Sequence, residues 1–162
     1  MDSEAIQVFL AAMFLVLSGC DEQQAKVPAS AIADHPAASA PVAMPRTASP
    51  EGASVFFINP ADGETVSSPV SIEFGIEGMS VVAAGTDQPH SGHHHLLVDT
   101  GLPELAMPIP ADSNHIHFGD ASTSTELSLE PGEYTLQLLL GDYLHIPHDP
   151  PLVSQRIAIT VE

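Results

Sequence analysis

The last hundred or so residues predict an all-β fold, an immunoglobulin-like antiparallel β-sandwich of about seven strands. Three observations carry this: apolar and polar residues alternate with period two, turn residues recur every eight to twelve positions, and no stretch shows helical periodicity. Val55 to Ile58 reads as the first strand, closed by the turn Pro60-Ala61-Asp62-Gly63. Val70, Ile72, Phe74 and Ile76 then alternate with Ser71, Glu73, Gly75 and Glu77, which describes a half-buried strand. Thr125, Leu127 and Leu129 form another such row. After the Pro131-Gly132 turn come Tyr134, Leu136, Leu138 and Leu140, and a last strand turns Ile157, Ile159 and Val161 inward. The stretch Leu129 to Tyr134 resembles the tyrosine corner of Greek-key sandwiches, which gives Tyr134 a structural role.

The chain has 162 residues with 44% hydrophobic content, enough for one ordinary domain and a tail. Residues 1–19 read as an export signal, because Ile6 to Leu17 is apolar, too short to span a bilayer, and runs into Leu17-Ser18-Gly19-Cys20. That tetrapeptide resembles the bacterial lipobox, in which the cysteine is lipidated after cleavage. The segment before the apolar run departs from export signals, carrying Asp2 and Glu4 in place of basic residues. Cys20 is the only cysteine, so a lipid anchor is its expected role and the domain has no thiolate ligand. Residues 20–53, rich in Ala, Pro and Ser, read as a flexible linker, and residues 54–162 as the sandwich. The expected location is the bacterial cell envelope, facing the periplasm.

Twenty-one acidic residues against three basic ones give a formal net charge of -18. Nucleic acid is excluded as a partner, since phosphate neutralisation requires the Lys and Arg that are missing here. A field of this sign concentrates cations, metal ions included, besides keeping the protein soluble.

Eight of the nine histidines lie between His90 and His148. In Ser91-Gly92-His93-His94-His95-Leu96-Leu97-Val98, a strand that buries Leu96 and Val98 puts His94 on the same inner face, with His93 and His95 on the other. In Asn114-His115-Ile116-His117-Phe118, burying Ile116 and Phe118 turns His115 and His117 outward, about 6–7 Å apart. Should the two strands be neighbours, the imidazoles of His93, His95, His115 and His117 converge on one patch. His145 and His148, in a proline-stiffened loop, complete or flank it, while His90 and the carboxylates of Asp87, Asp99 and Asp149 remain open candidates around it. An all-nitrogen donor set suits copper or zinc and not calcium or magnesium.

From about Val55 to Val161 the chain resembles domain of unknown function 4399, a family of bacterial exported proteins and lipoproteins. The resemblance rests on Phe57 to Gly63, Gly92-His93-His94-His95-Leu96-Leu97-Val98-Asp99, Pro110 to Gly119 and His148-Asp149-Pro150-Pro151. It implies an exported β-rich module and brings no activity with it.

The expectation is therefore a membrane-tethered domain that binds copper or zinc through clustered histidines for storage, delivery or sensing. Two alternatives stand beside it. One is a non-catalytic module whose protein partner in the cell envelope, or other ligand, is recognised in a pH-dependent way. The other is a copper or zinc metalloenzyme, although no serine or cysteine nucleophile arrangement is recognisable.

Overall fold

The computed structural model describes residues 43–162, so the apolar N-terminal run, Cys20, His35 and the linker as far as residue 42 lie outside the described residues. The described residues are all-β and contain no helix. Nine strands follow in chain order: β1 (Ser54–Asn59), β2 (Glu64–Val66), β3 (Val70–Glu77), β4 (Ser80–Val81), β5 (Ser91–Val98), β6 (His115–His117), β7 (Ser124–Leu127), β8 (Gly132–Gly141) and β9 (Ile157–Val161).

They form two sheets. One has the order β1-β3-β7; the other has the order β2-β9-β8-β5-β4, with β6 paired to β5. Most pairings are antiparallel, as the alternation predicts, but β2 runs parallel to β9 and β4 parallel to β5. The period-two rows meet between the sheets. Val55, Val70, Ile72 and Phe74 from one sheet pack on Leu96, Val98, Leu136, Leu138, Leu140, Ile157 and Ile159 from the other. Tyr134 closes the expected corner, its hydroxyl donating to the carbonyl of Glu130 at 3.0 Å.

The larger sheet is covered on its second face as well. There Leu97, Leu139 and Ile109 form a smaller apolar cluster with Val153 against it. Every residue of β5 is buried, and so are Leu138, Leu139 and Leu140 of β8. A continuous apolar run such as Leu138-Leu139-Leu140 is what a strand buried on both faces requires. The outward face predicted for His93 and His95 is thus an interior, roofed by the loops around Ile109 and Asp142 to Val153.

On the inner face, His94 lies fully buried with its ring centroid 5.2 Å from that of Phe74. Neither ring nitrogen has a hydrogen-bond partner among the described residues. Burial lowers its pKa to about 4, so the ring is neutral at pH 7. An unpaired buried polar group costs about 1–3 kcal/mol. His94→Leu, of similar volume, is therefore expected to stabilise the fold, with a melting temperature above that of the unsubstituted protein by circular dichroism; a lower one would show that His94 has a partner.

Candidate metal centre

The register of β5 decides which imidazoles meet. His95 lies directly opposite His117 of β6, and Leu97 opposite His115. On its other side His93 faces Gly141 of β8 and His95 faces Leu139. Donor nitrogens of His93, His95 and His117 all lie within 4.8 Å of one another. A fourth ring joins them from the loop after β8: the His145 centroid is 4.8 Å from those of His93 and His117 and 6.0 Å from that of His95. His93 and His95 are fully buried, His145 is half-buried and His117 is exposed, so the group has a closed floor and an open side.

Two glycines make room for it. A Cβ at Gly119 would lie 2.8 Å from Nε2 of His117, and a Cβ at Gly141 would lie 2.9 Å from Cε1 of His95. Both rings occupy the space that a side chain would otherwise fill. Both nitrogens of His93 and Nδ1 of His95 are buried without a hydrogen-bond partner among the described residues. Buried imidazole nitrogens ordinarily find partners, so these are lone pairs and N–H groups aimed at something else.

The electrostatics keep His93 and His95 in the neutral form that metal ligation requires. Burial lowers His93 to a pKa of about 4, helped by the like charges that His145 and His117 would carry, while the Asp142 carboxylate opposes the shift. Burial also lowers His95 to about 2, with His93 and His117 adding to it, and His117 is lowered mainly by burial. His93 and His95 are thus neutral at pH 7 and present lone pairs without first losing protons. Zinc at about 2.0–2.1 Å from each nitrogen takes tetrahedral donors about 3.4 Å apart. Shifts of under about 1 Å per ring bring the donors of His93, His95 and His117 to that spacing.

Of the six expected ligands, His93, His95, His117 and His145 come together, and His115 and His148 do not. His115 sits two residues further along β5, opposite Leu97. There Asp112 holds it, with its Oδ1 2.8 Å from the Nδ1 of His115 and also accepting the backbone N–H of His115. His148 is buried elsewhere, its Nε2 3.1 Å from the carbonyl oxygen of Ser91. His90 is exposed at the start of β5.

Two of the three expected carboxylate partners, Asp99 and Asp149, are occupied too. Asp99 accepts from the backbone N–H and hydroxyl of Thr135, and Asp149 pairs with Arg46 at 3.2 Å. The carboxylate that matters is Asp142, which is buried. Its Oδ1 accepts the N–H groups of Leu144 and Ile146, and its carbonyl accepts the N–H of His145, shaping the turn on which His145 stands. His145 itself has left-handed φ of 67°, a conformation uncommon for a residue other than glycine. A glycine and an aspartate directly after three leucines are the sequence signal for this turn; Gly119, after His117-Phe118, is its counterpart on the other side of the site.

The profile of a family described as "Domain of unknown function (DUF4399)" matches residues 72–162. The match contains all four clustered histidines and both glycines; it begins after the Phe57 to Gly63 motif. Neither a curated protein nor a solved structure matches the chain.

Gly119→Ala separates the site from the fold, because the atom it displaces belongs to a movable, exposed ring and not to the backbone. The variant is expected to melt as the unsubstituted protein does and to bind Zn(II) at least about tenfold more weakly. Equal affinity in a competition titration would show that His117 is no ligand.

Proposed function

As the chain belongs to the DUF4399 family, whose description assigns no activity, we propose from the site itself that it is a transition-metal-binding protein, taking copper or zinc through His93, His95 and His117 with His145 as fourth ligand. One observation carries this reading: three imidazoles converge within 4.8 Å in a fold that leaves their buried nitrogens unpaired. Four such rings without a thiolate or carboxylate among them form a borderline-soft nitrogen donor set, which suits Cu(II) and Zn(II), with copper ahead on intrinsic affinity. The open side at His117 suits a protein that receives and releases its metal, in storage, delivery or sensing. Tethering to a membrane on the periplasmic side, through Cys20, is supported by the lipobox-like Leu17 to Cys20.

The pH-switch alternative needs clustered histidines that protonate between about pH 6.5 and 5. Burial keeps His93 and His95 neutral through that range, so the core of the cluster does not supply the charge change.

A tag-free full-length chain titrated with Cu(II) and Zn(II) against a chelator tests the proposal. Binding tighter than micromolar is expected, with His93→Ala or His117→Ala weakening it by more than about tenfold and His115→Ala leaving it within about twofold. Lowered ligand pKa values also set the pH response. Protons compete with metal only below the pKa of a ligand, so His93 and His95 drop out of that competition and affinity is expected to fall by no more than about 15-fold from pH 7.5 to 6. Four ordinary histidines would lose about 200-fold over the same interval. Absence of sub-micromolar binding at pH 7.5 would end the proposal.

A further inference from the structure

Three of the four clustered rings stand on strands, whose ladders fix them. His145 stands on a loop in a left-handed conformation, so its position depends on whatever holds that loop. One side is held by the sandwich, where the His145 carbonyl accepts the N–H of Ile109 at 2.8 Å. The other side is held by residues 44–49, which composition assigns to the linker and which lie against the loop in an ordered segment.

The contacts of that segment are specific. Thr47 donates its hydroxyl to Oδ2 of Asp142 at 2.8 Å, the carboxylate whose other oxygen shapes the His145 turn. Arg46 donates its Nε to the carbonyl of Pro147 at 3.0 Å, a second guanidinium nitrogen to the carbonyl of His148, and pairs with Asp149. The Asp149 N–H donates to the Thr47 carbonyl at 2.9 Å and the Ser49 N–H to the Asp149 carbonyl at 3.0 Å, a parallel bridge centred on Ala48. Arg46 is one of only two Lys or Arg side chains among the described residues, and it is spent on this loop. The buried Asp142 carboxylate is the meeting point: Thr47 satisfies one oxygen, the turn of His145 the other.

We propose that Thr47 and Arg46 are positioning residues of the metal centre: the segment ahead of the sandwich fastens the Asp142–Asp149 loop and so sets His145 as the fourth ligand. The inference rests on the metal-binding reading. Linkage makes the effect reciprocal, so a bound ion fastens the segment by the factor with which the segment tightens the ion. The end of the linker is then part of the site and moves with its occupancy.

The test uses full-length, tag-free protein with Zn(II) for affinity and Co(II) as a spectroscopic probe. Thr47→Val is expected to weaken Zn(II) binding by about tenfold and Thr47→Ser to restore it, since only the hydroxyl is at stake. The Co(II) visible spectrum of Thr47→Val is expected to shift toward that of His145→Ala. In a His145→Ala background Thr47→Val is expected to cost nothing further, because both changes remove the same ligand. Unchanged affinity for Thr47→Val, or an equal loss in both backgrounds, overturns the inference while leaving the metal site standing. Failure of the unsubstituted chain to bind Zn(II) overturns both. Should Thr47→Val not fold, amide exchange in the unsubstituted chain decides. Zn(II) is expected to slow exchange at Ser49 and Asp149 by about tenfold, and no slowing overturns the inference.

Discussion

The structure depends on the burial of β5 from both sides. A strand of a two-layer sandwich ordinarily keeps one face wet, and polar residues on that face cost nothing. Here the second face is roofed by Ile109 and the loop after β8, so His93 and His95 lose water along with Leu97. Imidazoles removed from water must be satisfied by partners or remain neutral and unpaired, at a cost in stability. Among the described residues none is such a partner for His93. The chain places two further imidazoles beside it and clears the space with Gly119 and Gly141. Fold and donor set are therefore one arrangement: the same roof that dries the strand supplies the fourth ring.

That roof is also where the electrostatics are settled. Four neutral imidazoles holding a divalent ion leave two positive charges in a poorly solvated place, and the buried Asp142 carboxylate is the anion that opposes them. Its oxygens are taken by backbone N–H groups and a hydroxyl, so it acts through its charge and through the loop it shapes. The surrounding surface, acidic throughout and nearly free of Lys and Arg, extends the same preference to longer range.

Most of the fold was legible in the residues. Period-two rows located β1, β3, β7, β8 and β9, and Leu129 to Tyr134 located the corner, because these depend on local alternation and turn chemistry. The parallel pairings β2–β9 and β4–β5 were not legible, since strands of two or three residues carry no periodic signal. At the site, alternation correctly split His94 from His93 and His95, and set His117 beside His95. It misplaced His115, because the register between β5 and β6 is set by tertiary packing, and a shift of two residues sets His115 opposite Leu97, where Asp112 holds it. The linker end escaped a composition reading for the same reason: Arg46 and Thr47 lie in an Ala/Pro/Ser-rich stretch, and only the loop about a hundred residues later gives them partners.

The central claim is that a metal ion is held by these imidazoles together. X-ray absorption at the zinc edge of the Zn(II)-loaded full-length chain tests it most directly. The account predicts a first shell of nitrogen at about 2.0–2.1 Å, with the outer-shell scattering of three to four imidazoles and no sulfur. A shell of oxygens without imidazole scattering, or a spectrum unchanged by His93→Ala, would contradict it.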